Sequence, residues 1–197
     1  ANLNLQFKMK KLLTLLLAIL IITTIFAQKR DITLDDLWQN YTFYPSYIGG
    51  FNSMNDGEHY STMERTEDEQ EIIKHQFKDG KKVRTLFSSA DFDIQRINNY
   101  TFSDDEKLLL LSTETEKIYR HSSKSAYYIY NIFTDKLKKL TDDKVMYATF
   151  SPNGEKVAYV FDNNLYIKNI RNEKITQVTT DGKKNHIING ASDWVYE

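Results

Sequence analysis

The 197-residue chain contains no cysteine, only 2 prolines and only 7 glycines. Lack of cysteine excludes disulfides, thiolate metal sites and a cysteine nucleophile together. It leaves the compartment open, because many bacterial exported proteins carry no disulfide. An excess of one charge is missing too: 26 basic residues stand against 27 acidic ones, for a net charge of −1. There is no basic stripe to suit nucleic acid and no acidic tail to suit a cationic partner. Nucleic acid is therefore not expected as a partner. The phosphate-loop, zinc-helix and dinucleotide fingerprints are absent. His59, His75, His121 and His186 are scattered without metal-ligand spacing, so neither a metal nor a cofactor is expected.

The longest apolar run is short. "MKKLLTLLLAILIITTIFAQ" starts at Met9, continues through Lys10 and Lys11, runs apolar from Leu12 to Phe26 and ends at Ala27-Gln28. A basic start, an apolar stretch and a small residue at the end fit a secretory signal peptide. A spanning helix needs about 20 apolar residues, which makes this run short for an anchor, although an uncleaved anchor or a lipid-facing terminus stays open. Residues 1–8, "ANLNLQFK", precede a natural-looking start and read as an upstream leader or cloning remnant. Export to the periplasm or beyond is the expected localisation.

Aromatic residues, by contrast, are plentiful: 13 Tyr and 11 Phe, within 41% apolar residues overall. Such a composition is globular and favours strands. One short helix is expected in "DITLDDLW", where Thr33 can cap and Asp36 completes a capping box. Leu34, Leu37 and Trp38 would form its apolar face. From Tyr41 onward, short strand-forming runs alternate with polar turns. In "KVAYVFDNNLYIKNIRNEKITQVT", Val157, Tyr159 and Phe161 alternate with their neighbours, Asp162 to Asn164 turn the chain, Leu165 to Ile170 return, and Ile175 to Thr179 make a third strand.

This meander has copies. "FSPNGEKVAYVF", "FSDDEKLLLLS" and "FNSMNDGEHYSTM" each open on Phe, pass a turn rich in Asp, Asn or Gly, and enter a strand. Their phenylalanines, Phe51, Phe102 and Phe150, lie 51 and 48 residues apart. "HQFKDGKKVRTLF", "IYNIFTDKLKKLT" and "IKNIRNEKITQVT" each read as strand, turn, strand. A period near 50 with about four short strands per unit predicts β-propeller blades. The expected fold is all-β: a partial propeller of about three four-stranded blades and the start of another. A β-sandwich also has strands about every 8–12 residues, but it would not repeat one turn entry at a fixed long spacing.

Two stretches hold candidate chemistry. In "IYRHSSKSAYYIYN", Arg120 and His121 lie between two strands of the second repeat. An arginine there offers a planar five-donor fork to a carbonyl or carboxylate; an ordinary solvated loop arginine is the plainer reading. In "NGASDWVYE", Asp193, Trp194, Tyr196 and Glu197 combine carboxylates with aromatic walls, a way to hold a cation such as a free amino group. A strand that buries Trp194 and exposes Glu197 is the alternative. Gly190-Ala191-Ser192-Asp193-Trp194 begins like a nucleophile elbow, yet Trp194 stands where the tight turn needs a second glycine, so Ser192 reads as a turn serine.

Together these stretches resemble the dipeptidyl peptidase IV branch of the prolyl oligopeptidase family. "YRHSSKSAYYIYN" is similar to that family's W-R-H-S loop and Tyr-rich strand, and "INGASDWVYE" to its N-G-x-x-D-W-V-Y-E-E-E segment. "FSPNGEKVAYV" with "NNLYIKN" is similar to its blade text, and "ITLDDLW" to its start after the signal. The resemblance runs from Ile32 to Glu197. It implies a serine exopeptidase that releases dipeptides from free N-termini, with Pro or Ala second. It further implies an eight-bladed propeller over a C-terminal α/β-hydrolase domain that carries the Ser-Asp-His triad. The family's R-H-S arginine binds the carbonyl between the first two substrate residues, and two glutamates of the acidic run bind the α-ammonium. Arg120 matches that arginine. Glu197 matches the first glutamate of the run, whose next two form the ammonium pair. Tyr119 stands where the family often has Trp.

The organisation expected on this basis is a leader at 1–8, a signal peptide at 9–27, a short helical segment at 28–40 and an incomplete propeller at 41–197. The hydrolase domain would lie beyond the chain, leaving these residues inactive alone. Expected partners are peptides with a free N-terminus, the protein's own hydrolase domain and a second copy, since dimers are common in that family. A non-catalytic periplasmic propeller that binds or scaffolds other proteins is the alternative.

Overall fold

The computed structural model describes residues 6, 9, 11, 31–45, 50–92, 94 and 96–192. The apolar run expected to serve as a signal lies outside them, as do Asp193, Trp194, Tyr196 and Glu197. Among the described residues, no helix is long and apolar enough to cross a membrane. The chain divides into two compact units, Ala1–Tyr47 and Ile48–Glu197.

The first unit contains helix α1, Leu34–Trp38, and its capping box forms as expected. The Thr33 hydroxyl accepts from the Asp36 N–H at 3.2 Å and donates to the Asp36 carboxylate at 2.8 Å. Asp36 also accepts from the Thr33 N–H at 3.0 Å. Its burial differs from the expectation. Leu34 and Trp38 are 73% and 72% exposed, whereas Asp36 is the buried residue. The helix is thus held by cap chemistry that satisfies its first N–H groups.

The second unit is a partial β-propeller of three antiparallel four-stranded sheets, each a meander. The first blade joins β1 (Phe51–Ser53), β2 (His59–Arg65), β3 (Gln70–Gln76) and β4 (Lys82–Ser88). The second joins β5 (Ile97–Phe102), β6 (Leu108–Lys117), β7 (Ser123–Asn131) and β8 (Lys136–Lys139). The third joins β9 (Met146–Phe150), β10 (Lys156–Phe161), β11 (Asn164–Asn169) and β12 (Ile175–Gln177). Beyond β12 the described residues hold one isolated bridge, Lys183 to Ile187.

The repeat is real, but its phase in the first blade is shifted by two residues. Phe102 pairs with Leu109 and Phe150 with Val157, whereas the residue paired with Tyr60 is Ser53. Met54, Ser103 and Ser151 are therefore the equivalent positions. Each donates its N–H to the carbonyl of the residue five further on, His59, Leu108 and Lys156, at 2.9 Å. Phe51 has no counterpart in Phe102 or Phe150. The side chain that stabilises each turn is Asp56, Asp105 or Asn153, which accepts from backbone N–H groups two or three residues on. Gly57, Glu106 and Gly154 occupy the left-handed position that follows it, with φ of 69°, 54° and 67°.

Blade stacking forms two cores, and the middle blade contributes to both. Leu109, Leu111 and Tyr130 pack with Ile72, Phe87 and Ile97 on the first-blade side. Leu110 and Ile129 pack with Leu140, Val145, Val157 and Tyr159 on the third-blade side. A strand buried on both faces needs an unbroken apolar run, which explains "LLLL" at 108–111. Polar clasps lie beside these cores. The Gln70 amide accepts from the Ile97 N–H at 2.6 Å and donates to the Ile97 carbonyl at 3.1 Å, so one side chain acts as a strand partner. Ser61 and Tyr100 bond across the same interface at 2.9 Å. The second and third blades are joined by paired backbone bonds between Ser125 and Val145, both 2.9 Å.

These contacts set two expected outcomes, measured by urea denaturation of the chain. Leu109→Ala leaves a cavity at a fully buried position and lowers stability by about 2–5 kcal/mol. Gln70→Ala strands two buried backbone groups of Ile97 and costs about 1–3 kcal/mol for each. A loss below about 0.5 kcal/mol in either variant would contradict the role assigned here to the interface.

Candidate functional site: the Arg120 loop and the approach to D-W-V-Y-E

Arg120 lies in the loop 118–122 that joins β6 to β7. The loop closes on the Ser122 carbonyl, which accepts from the Ile118 N–H at 2.9 Å and the Tyr119 N–H at 3.3 Å. Below it the hairpin is irregular. The register shifts between Thr113 and Glu116, and Glu114 has a φ of 49°. This is a bulge, which bends the hairpin and re-aims what lies beyond it.

Several contacts brace the bulge. Thr115 bonds Ser125 at 2.8 Å and donates its N–H to Asn98 at 3.2 Å. Lys144 meets Glu116 at 2.8 Å and Glu114 at 3.2 Å, and Lys124 meets Glu116 at 3.0 Å. Hydrogen bonds from Lys144 and then Lys124 hold the Glu116 carboxyl below its ordinary range. Glu116 in turn raises Lys144 above its usual value. The loop thus stands on an ion-paired base. Arg120 itself is exposed, and its guanidinium forms no ion pair with any described residue.

Beside this loop lies a cavity of about 440 Å³. Its walls include Ile118, Tyr119 and Ser122 from the loop, Met146 and Val160 from the third blade, and Ile188. Ala191 and Ser192 also line it, and they are the last described residues before D-W-V-Y-E. The fold therefore brings the R-H-S loop and the lead-in to the acidic motif, some 70 positions apart, to one cavity. Glu197, the second site residue expected from sequence, lies outside the described residues. His121 sits beside Arg120 in the loop, whereas His186 lines the cavity from the other side. Among the described residues, no cluster of His, Asp and Glu could hold a metal ion.

Ser122, Met146, Val160 and Ile188 were not marked by sequence. Apolar wall residues look like core until the packing is seen. Ser122 is the more unusual: it is 2% exposed, and its hydroxyl has no hydrogen-bond partner among the described residues.

Residues 103–197 match the family model described as the dipeptidyl peptidase IV N-terminal region. Over this stretch the chain is similar to the dipeptidyl peptidase IV family. Its fold is similar to the crystal structure of dipeptidyl peptidase 4 from Porphyromonas gingivalis, with a TM-score of 0.71 and 40% identity over 85% of this chain and 24% of that one. Dipeptidyl peptidase 4 of Felis catus is 39% identical over 105 residues, 51% of this chain and 14% of the cat protein. Prolyl endopeptidase FAP of Bos taurus is 29% identical over 174 residues, 85% of this chain and 21% of the bovine protein. The chain thus spans about a quarter or less of the length of these dipeptidyl peptidase IV relatives.

The unpaired hydroxyl gives an expected outcome. An unbonded buried hydroxyl keeps its desolvation cost, so Ser122→Ala should raise stability by about 1 kcal/mol in thermal or urea unfolding. A loss of stability in that variant would show that the hydroxyl is satisfied in solution.

Proposed function

We propose that this chain forms the substrate-recognition part of the propeller of an exported serine dipeptidyl peptidase. In that enzyme Arg120 and the acidic run that begins at Glu197 hold the N-terminal end of a peptide while a hydrolase domain cleaves after the second residue. One observation carries the reading: the Arg120 loop and the approach to D-W-V-Y-E share one cavity, in a fold similar to a dipeptidyl peptidase 4.

The physical logic follows from the groups involved. The guanidinium offers a donor fork suited to a peptide carbonyl, and the braced base of the hairpin limits how far the loop that carries it can move. A buried substrate ammonium needs paired acceptors, because leaving it unpaired costs several kcal/mol. Anchoring both groups fixes the distance from the free N-terminus to the nucleophile, which sets dipeptides as the product. Substrates with Pro or Ala second, a second copy as partner and periplasmic delivery belong to the same proposal.

Arg120→Ala in the whole protein should lower kcat/KM for an Xaa-Pro anilide by about 10²-fold, as expected for loss of one charge-assisted contact. Labelling by a fluorophosphonate serine probe should change little. Unchanged dipeptide release would overturn the role of Arg120. A wild-type protein that binds peptides yet neither releases dipeptides nor takes the probe would favour a non-catalytic propeller. Export has its own readout: periplasmic protein should begin at Gln28, and a start retained at Met9 would overturn signal cleavage.

A further inference from the structure

We propose that Asn164 is a positioning residue that sets where the chain departs toward D-W-V-Y-E; this rests on the function proposed above. The β10–β11 hairpin turns through Asp162 and Asn163, both left-handed with φ of 44° and 60°, which places Asn164 at the start of β11. Asn164 is 7% exposed. Its amide makes three hydrogen bonds. The oxygen accepts from the Thr179 hydroxyl at 3.1 Å and the Gly182 N–H at 2.9 Å, and the nitrogen donates to the Asp162 carbonyl at 3.1 Å. Thr179 passes the link back to the strand by accepting from the Leu165 N–H at 2.9 Å.

The same turn holds the far end of the loop. The Asn163 carbonyl accepts from the Asn189 N–H at 3.0 Å. Between the two anchors, Lys183 and Ile187 close a bridge, and the Asn189 amide donates to Asp181 at 3.0 Å. Close packing leaves little slack. A Cβ on Gly182 would collide with the Asn163 carbonyl, and one on Gly190 would come within 2.8 Å of Val160. Residues 179–190 are thus a clasp closed on one hairpin turn, and Asp193 follows Asn189 by only four positions. Asn164 touches no substrate in this account; it acts through the clasp.

The test uses the whole protein. Asn164→Ala should raise KM for an Xaa-Pro anilide about tenfold with kcat within about twofold, because the recognition element is misplaced while the nucleophile is not. Asn164→Asp keeps the acceptor for Thr179 and Gly182 and should restore KM to within about threefold. Hydrogen exchange of amides 180–190 should quicken in Asn164→Ala and recover in Asn164→Asp. A residue that only stabilises the fold would lower Tm and the active fraction but leave KM unmoved, and that result overturns the proposal. If Asn164→Ala does not fold, Thr179→Val removes one bond of the clasp, and an unchanged KM there overturns it equally. A wild-type protein that releases no dipeptide would sink the functional reading, and with it the catalytic consequence drawn for Asn164. The exchange experiment would still decide whether Asn164 closes the clasp.

Discussion

The described propeller depends on one strand being apolar on both sides. β6 gives Leu109 and Leu111 to the first-blade core and Leu110 to the third-blade core, so the middle blade has no solvent-facing surface at its centre. A lone four-stranded sheet has two faces to cover and cannot cover either by itself. Blade stacking meets that need, and the polar clasps then fix the stagger. Gln70 on Ile97, Ser61 on Tyr100 and Ser125 on Val145 each pair groups that would be costly to bury alone. The apolar contacts make the blades adhere; the hydrogen bonds decide at which register.

The site is built on the strands that make this core. The Arg120 loop is the far end of the β6–β7 hairpin, and the other wall of the cavity comes from the third blade and the clasp beyond it. Dipeptide recognition, as proposed here, requires groups set at a distance matched to two residues. Rigid strands and a braced base supply that better than a free loop would. Similarity to the dipeptidyl peptidase IV N-terminal region extends over most of the second blade and all of the third, whose strands supply both the packing and the cavity walls.

Much of this was legible from sequence because the signals are local. A hydroxyl three residues before a carboxylate at the start of a helical run makes a capping box, and Thr33 and Asp36 form one. Asp162 and Asn163 tolerate the left-handed turn that a two-residue hairpin needs. The repeat was readable too, yet its phase in the first blade was not, because Phe51 is the more conspicuous residue and Ser53 the equivalent one. What determines phase is the turn bond from Met54, which a search for aromatic residues passes over. The apolar look of Leu34, Leu37 and Trp38 suggested a buried face that the helix does not have. Arg120 stood out in the sequence only as a possible donor fork beside the plainer reading of a solvated loop arginine, and the family resemblance was needed to give it a role, since an exposed arginine carries no signature of its own. Ser122 and Asn164 were invisible as site residues: a buried polar side chain is defined by partners far along the chain, or by their absence.

The bulge in β6 has a consequence for how such a protein can change. From Leu108 to Leu111 the side chains alternate between two cores, so a single inserted residue would exchange the two sets and dismantle both. Past the bulge that parity no longer binds. The tip answers to other constraints: pairing resumes at Glu116 and Lys117, and the loop closes on the Ser122 carbonyl. One hairpin thus carries two regimes: a root whose side-chain parity is tied to both cores, and a tip held by its own turn and by the lysines at its base.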